Sequence, residues 1–321
     1  MSARNFTVYR SLGEIPANFP ASVASIGNFD GVHLGHRSIL SAVVQEARSN
    51  GTMAVAVTFD PHPEQILRPA NAPQLLAPMD RRVRLLAQTG VDAVVVLPFD
   101  AQLAAMPART FVQRVLVDHL HVLSLHEGSS FRFGVRAEAG VTQLAAFGSE
   151  LGFSVHVHEA IRVHGVEVSS SAIRKLVSEG DMKRARWLLG RPFSIVSTQQ
   201  RDRGVGSKQL VPTINLAAYA GQLPAFGVYV TRLSVVGRCF DGVTNVGNRP
   251  TFEGAGFSVE THLLNFEPME IAFDAPIELT FLHRLRGEQK WPNPEALKAQ
   301  IMKDVAQARR YLALIPVSVL K

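Results

Sequence analysis

Through the first half of the chain the apolar positions switch between two periods. Apolar runs at Val23–Ile26, Ala54–Phe59, Ala93–Phe99, His121–Leu125 and Phe153–His158 predict strands. Between them, Ser38–Ser49, Arg81–Gln88, Ala108–His119 and Val141–Leu151 carry apolar residues at helical spacing. In the first of these, Ile39, Leu40, Val43, Val44 and Ala47 share a face, and Gly51 supplies the stop. Strands alternating with helices argue a parallel sheet with covering helices, whose ligands bind beyond the carboxyl ends of the strands. Two more helical segments, Ser171–Ser178 and Met182–Leu189, lead to Gly190-Arg191-Pro192, where a boundary is expected.

Beyond residue 190 the pattern becomes strand-rich. Phe193–Ser197, Gly227–Val235, Phe240–Val246, Ser258–Phe266 and Ile277–Phe281 read as strands separated by turns, which suggests an antiparallel sheet or small barrel. A helix closes the chain. Asn293 can cap it, Pro294 suits its first position, and Leu297, Ile301, Val305, Ala308 and Leu312 form one face.

Composition narrows the setting. At 321 residues, two domains are expected. One cysteine, Cys239, excludes a disulfide framework and fits a cytoplasmic location; it reads as a small buried or half-buried hydrophobe. Met1 to Ile15 has no apolar leader core, and no run approaches a membrane span. The net charge of +6 is spread in short clusters such as Lys183-Arg184 and Arg309-Arg310. With no aromatic-interleaved basic stripe, nucleic acid and membrane are not expected partners, and anionic small molecules explain the excess as well. Weak self-association remains compatible with this composition.

The strongest chemical signal is Gly27-Asn28-Phe29-Asp30-Gly31-Val32-His33-Leu34-Gly35-His36. It places two histidines where a strand turns into a helix. A helix N-terminus presents free N–H groups and partial positive charge, which suits phosphate, and the glycines allow close backbone approach. A bare His-x-Gly-His reads as a surface turn; with this strand, turn and helix around it, a phosphate site is the better reading. A second segment, Thr58-Phe59-Asp60-Pro61-His62-Pro63, also falls at a strand end.

Several further segments carry a family resemblance. They are SFRFG at 130–134, VSSSAIR at 168–174, GDMKRARWLLGRPFSI at 180–195, VPTINL at 211–216, GVYV at 227–230, GVTNVGNRPTF at 242–252, VETHLLNF at 259–266 and FLHRLRGEQKW at 281–291. In joint order and spacing with the two segments above, the chain resembles the bifunctional bacterial riboflavin kinase/FMN adenylyltransferases, also called FAD synthetases, from about Val23 to Leu312. The resemblance implies an α/β nucleotidyltransferase-type (Rossmann-like) domain over residues 1–186. A six-stranded antiparallel Greek-key β-barrel with a C-terminal helix would follow over 187–321. It implies ATP, riboflavin and FMN as substrates, Mg²⁺ as the metal, and two reactions: riboflavin plus ATP to FMN and ADP, then FMN plus ATP to FAD and pyrophosphate.

For adenylylation the resemblance puts His33, His36 and Arg174 on the triphosphate. Gly27, Asn28, Phe29 and Gly35 would line the nucleotide pocket, and Ser169, Ser170 and Ser171 a second phosphate motif. His62 would shape the flavin or phosphate pocket, and Arg132 and Phe133 would frame the flavin. Judged as residues alone, Arg174 reads as a solvated surface arginine and His62 as a turn histidine about equally with a site residue. Ser130 stands where the family often has Asp or Asn, so the alternative is riboflavin kinase activity only, with a weakened adenylylation site.

For the kinase reaction the resemblance gives Thr213 and Asn215 to Mg²⁺ and phosphate, Glu260 to the general base, and Arg286 and Trp291 to the flavin end. Trp291 replaces the family's usual Phe. By alternation alone Glu260 is a solvent-facing strand residue. Gly204-Val205-Gly206-Ser207-Lys208 resembles a short phosphate loop, with Gly204 and Gly206 as contacts, although it is not a Walker A sequence.

Overall fold

The structure is a computed structural model that describes residues 6–200, 213–251, 254–267, 269, 271, 272 and 274–315. The chain forms two compact units, Met1–Ser170 and Ser171–Lys321.

The first unit is built on six strands, all parallel. They are β1 (Thr7–Tyr9), β2 (Ser22–Ile26), β3 (Met53–Asp60), β4 (Ala93–Pro98), β5 (Val122–Gly128) and β6 (Ser154–His158), in the spatial order β1-β4-β3-β2-β5-β6. The chain winds outward from β2 to β3 and β4, then returns to place β5 on the other side of β2. The carboxyl ends of β2 and β5 therefore flank the topological switch point, where such sheets open a ligand crevice.

Alternating residues of the central strands feed two cores. Ala24, Val55, Val57, Val95 and Leu97 pack with Phe111, Val112, Val115, Leu144 and Phe147 on one face. Val23, Ala54, Ala56, Val94 and Val96 pack with Leu40, Val43, Ala47, Leu85 and Leu86 on the other. Burial on both faces explains why these strands are apolar throughout rather than alternating.

Three predicted helices form as α1 (Leu34–Asn50), α3 (Met79–Ala87) and α4 (Val141–Leu151), and periodicity missed the short α2 (Pro63–Leu67). Gly51, at φ 70°, ends α1 in the left-handed conformation. The segment expected as one helix over 108–119 is α-helical over Ala108–Phe111 and π-helical over Val112–His119. Strand β1 was also missed, because three half-buried residues show no period.

In the second unit, α5 (Ser170–Glu179, sharing its first residue with the first unit) and α6 (Met182–Leu189) precede a curled antiparallel sheet. Its strands are β7 (Phe193–Ser197), β8 (Thr213–Asn215), β9 (Gly227–Val235), β10 (Arg238–Thr251), β11 (Gly254–Leu263) and β12 (Ile277–Gly287), in the order β7-β12-β9-β10-β11-β8. The two edges meet: Gln199 bridges Leu216, Gln200 donates to the Asn215 carbonyl at 2.8 Å, and Ala217 donates to the Thr198 carbonyl at 2.9 Å. Tyr229, Phe240 and Phe281 are fully buried, and the hydroxyls of Thr231, Thr244 and Thr261 satisfy one another at 2.7 and 2.9 Å.

Helix α7 (Pro294–Leu314) has the expected cap, Asn293 accepting from Ala296 N–H at 2.8 Å. Its apolar face is only partly used. Val305 and Ala308 pack with Val228, Val230, Val243 and Leu282, whereas Leu297 and Ile301 stay exposed. Cys239 corrects the expectation of burial: it is exposed beside the β9–β10 hairpin, with Sγ 3.3 Å from Ser234 Oγ. Among the described residues, no helix is long and apolar enough to cross a membrane.

Candidate active sites

At the end of β2 the backbone turns sharply, with φ of 46° at Phe29, 79° at Gly31 and 39° at Val32. Two non-glycine residues in the left-handed region need outside support. Phe29 is buried, and the buried Asp30 carboxylate accepts from the N–H groups of Leu76 and Ala77 at 3.1 and 3.0 Å. The Asp30 carbonyl accepts from Ser170 Oγ at 2.9 Å, which brings that serine to this turn. From the other side, the buried Glu127 of β5 accepts from the Ile26 N–H at 2.7 Å, and burial raises its pKa well above the usual carboxylate range.

His33 caps α1: its Nδ1 accepts from the His36 N–H at 3.3 Å. In the neutral ring that bond leaves the proton on Nε2, as a donor. The His36 ring stacks on His33 at 3.6 Å and meets the Phe29 edge at 5.2 Å. Burial, then His33 and Arg82, hold the His36 pKa well below the usual imidazole value, so His36 is neutral at pH 7. Its buried Nδ1 has no hydrogen-bond partner among the described residues. A Cβ at Gly35 would lie 3.2 Å from the His33 ring. Gly35→Ala is therefore expected to push the His33 ring aside and, if His33 contacts phosphate as the sequence predicts, to slow turnover at this site about tenfold. Unchanged turnover in a steady-state assay would show that the His33 position is unimportant.

Arg82 was not singled out from sequence. It is 1% exposed, and its guanidinium donates to the Phe59 and Ala77 carbonyls at 3.4 and 3.3 Å. Its buried companions on α3, Leu85 and Leu86, lie three and four residues on, so helical periodicity already placed an arginine on the core face.

A cleft of about 670 Å³ opens beside this turn. Gly27, Asn28 and Ser130 line it together with Phe59, Phe99, Phe111, Phe131 and Phe133, and Arg68, Arg132 and Arg136 add cations. Size and lining suit an aromatic, anionic ligand. Arg132 is anchored by the Ala137 carbonyl at 3.2 and 3.0 Å. Gly134 has φ 76°, and a Cβ there would sit 2.7 Å from Ala108, so the SFRFG segment requires its glycine.

His62 caps α2, its Nδ1 accepting from Glu64 N–H at 3.2 Å while its own N–H donates to Gln65 Oε1 at 3.2 Å. It is buried, and its neighbours Pro63 and Glu64, not His62, line the cleft. Ser169 is half-buried just before α5, Ser171 is exposed in its first turn, and Arg174 is half-buried one turn on.

In the second unit, β8 and β11 bring Asn215 opposite Glu260 and Thr213 opposite His262, while β10 puts Asn245 opposite Glu260. Registered residues share a sheet face, so Thr213, Asn215, Asn245, Glu260 and His262 form one polar surface. Ile214, Thr244 and Thr261 are buried on the opposite face. Glu260 is half-buried and accepts from Ser258 Oγ at 3.0 Å. Asn215 Oδ1 is buried without a hydrogen-bond partner among the described residues. Gly204 and Gly206 lie outside the described residues.

Arg286 is tied down. It donates to Asp304 of α7 through Nε at 3.2 and 3.1 Å and through a terminal nitrogen at 2.8 Å, and lies over the Trp291 ring at 5.6 Å. The Asp304 side chain is 2% exposed. Asp304→Ala strands a largely buried guanidinium and is expected to cost about 3–5 kcal/mol of stability. Chemical denaturation of the full chain checks this, and a loss below about 1 kcal/mol, the scale of an exposed pair, counts against it.

A turn rich in glycine and histidine at the switch point of a parallel sheet suits a nucleotidyltransferase-type unit, and a curled antiparallel sheet with a carboxylate beside oxygen donors suits a kinase-type unit. Known proteins divide the chain in the same way. The family profile described as FAD synthetase matches residues 15–172, and the one described as riboflavin kinase matches residues 189–312. The bifunctional riboflavin kinase/FMN adenylyltransferase of Pseudomonas fluorescens is 35% identical, covering 95% of this chain and 97% of its own. That of Escherichia coli K12 is 34% identical over 91% and 93%. The chain belongs to the bifunctional riboflavin kinase/FMN adenylyltransferase family. Both domains are present, so the kinase-only alternative is not favoured. A crystal structure described as a macrolide-efflux protein from Streptococcus pneumoniae superposes with a TM-score of 0.84 at 24% identity, covering 95% of this chain and 99% of that one; this likeness shows the fold alone.

Proposed function

We propose that the chain phosphorylates riboflavin to FMN at the second unit and adenylylates FMN to FAD at the first. The observation that carries the reading is the pairing of two separate sites. One is a stacked histidine pair, with His36 neutral, at a helix N-terminus beside an aromatic cleft. The other is a carboxylate in register with Asn215.

In adenylylation the FMN phosphate attacks the α-phosphorus of ATP and pyrophosphate leaves. A phosphate monoester is already ionised, so no protein nucleophile is needed. The task is to offset repulsion between anions and stabilise the leaving charge. His33 supplies an Nε2–H donor, His36 a neutral ring beside it, and the N–H groups opening α1 add their dipole. By the family resemblance Arg174, with its planar fork of donors, would contact phosphate, and Ser169, Ser170 and Ser171 would supply hydroxyls. The aromatic cleft takes the flavin, with Ser130 a neutral hydrogen-bonding group at its rim.

In the kinase reaction the nucleophile is the ribityl 5′-hydroxyl, which must lose a proton. Glu260 accepts it. Thr213 and Asn215 would hold Mg²⁺: both are oxygen donors, as a hard cation prefers, and the unpartnered Asn215 Oδ1 supports that fit. When bound, Mg²⁺ polarises the γ-phosphate and neutralises its charge. These reactions suit a cytoplasmic location, where ATP is available.

Incubation with riboflavin, ATP and Mg²⁺, followed by chromatography of the flavins, is expected to yield FMN and then FAD. Unchanged riboflavin sinks the reading. The expected division into 1–186 and 187–321 would cut α6 (Met182–Leu189), which buries Met182, Ala185, Leu188 and Leu189, so the fragment to test begins at residue 181. It is expected to make FMN and no FAD; a folded but inactive fragment would refute an autonomous kinase.

A further inference from the structure

Away from the phosphate turn, four titratable side chains converge on the sheet face beneath the second half of α1. His126 of β5 and His156 of β6 are registered partners on neighbouring parallel strands, so both project from one face. Glu46 of α1 lies across them. Its Oε2 is 2.7 Å from His126 Nε2 and 3.5 Å from His156 Nε2. The rings of His126 and His156 stack at 4.7 Å and 25°. His158, two residues further along β6, sets its Nε2 2.9 Å from His126 Nδ1. A structural ion pair needs one histidine for one carboxylate. Here two imidazoles flank a single carboxylate and a third backs one of them, and that carboxylate could compensate only one if charged.

We propose that Glu46, His126 and His156 form a binding site for a divalent transition-metal ion, with Zn²⁺ the best match. Two imidazole nitrogens and one carboxylate oxygen are a standard donor set for such ions and a poor one for Mg²⁺, which prefers oxygen alone. The three donor atoms all lie within 4.8 Å of one another. Ligands bound tetrahedrally at about 2.1 Å stand about 3.4 Å apart, so closure asks for side-chain adjustments of about an ångström or less. Bound through Nε2, neutral His126 carries its proton on Nδ1 and donates it to His158. That outer hydrogen bond is the usual way a ligating histidine is oriented. The His126 side chain is 6% exposed and that of His156 is 50% exposed, so the site is anchored on one side and open to entering ions on the other.

The site is separate from the adenylylation chemistry. Glu46 lies almost three turns beyond His36 along α1, about 15 Å. Its effect is to pin α1 to β6, the outermost strand of the parallel sheet on that side. An ion that binds only the folded chain raises its melting temperature.

The test uses the full chain, stripped with a chelator and free of nucleotide. It is titrated with Co²⁺, a spectroscopic stand-in for Zn²⁺. One Co²⁺ per chain with visible ligand-field bands is expected, and Zn²⁺ should bleach the bands and raise the melting temperature. His156→Ala, a half-exposed change tolerated by the fold, and Glu46→Gln should each weaken Co²⁺ affinity at least tenfold and abolish the Zn²⁺-dependent rise. Excess Mg²⁺ should not displace Co²⁺. Absence of saturable binding, equal affinity in the parent and His156→Ala, or displacement by Mg²⁺ would each overturn the assignment. Circular dichroism checks the folding of both variants; should Glu46→Gln misfold, His156→Ala alone decides.

Discussion

Replacing Glu260 by glutamine is expected to slow riboflavin phosphorylation by about two to four orders of magnitude, the usual worth of general-base catalysis. FMN adenylylation should continue at the parent rate. Glutamine has the size of glutamate and keeps an oxygen to accept from Ser258 Oγ, which now bonds Oε1 at 3.0 Å. It also keeps the register with Asn215 and Asn245. Usable basicity is what disappears. The first reaction suffers because an alcohol must be deprotonated. The second does not, because its nucleophile is an ionised phosphate handled in another unit. A loss of less than about tenfold is too small for a missing base and removes Glu260 from that role. Calorimetric titration of the variant with Mg·ATP should show near-parent affinity, which separates a chemical defect from a binding defect.

His36→Ala is expected to have the converse effect: FMN to FAD falls by about two to three orders of magnitude, the worth of a transition-state donor, because His33 loses the ring that positions it, while riboflavin to FMN survives. The substitution removes a neutral ring from the phosphate turn. It also removes the surface on which His33 stacks at 3.6 Å, so both histidines are affected. Backbone capping persists, because His33 Nδ1 accepts from the residue 36 N–H whatever its side chain. Separate assays of the two half-reactions decide the matter. Equal loss of both in a folded variant would mean that the sites do not act independently, and full retention of adenylylation would take His36 out of the mechanism.

Much of this architecture could be read from the chain because its signals are local. A helix shows itself through residues three and four apart and a strand through immediate alternation, so α4, α6, β7 and β9 occur at their predicted bounds. Caps are local as well, which is why Asn293 and Pro294 marked the start of α7. The phosphate turn was legible for the same reason: strand, glycines, histidines and helix follow one another without interruption. The residues proposed for the kinase site were different. Glu260 looked like an ordinary strand residue until the family resemblance singled it out, because Asn215 and Asn245 reach it only through strand pairing.

Sequence alone therefore determined the alternation of elements and the change from a parallel α/β half to an antiparallel half. Tertiary structure decided which surfaces meet. It buried Arg82 among backbone carbonyls, set Asp30 to hold the N–H groups of residues 76 and 77, and committed Arg286 to Asp304. It left Cys239, Leu297 and Ile301 in solvent despite their apolar character. It also gathered Glu46, His126 and His156 from three elements on one sheet face. The physical reason is the range of the interactions. Periodicity reports which face of an element is apolar, and so a local preference, whereas burial and pairing depend on partners far away in sequence that are identified only once the strands are in register.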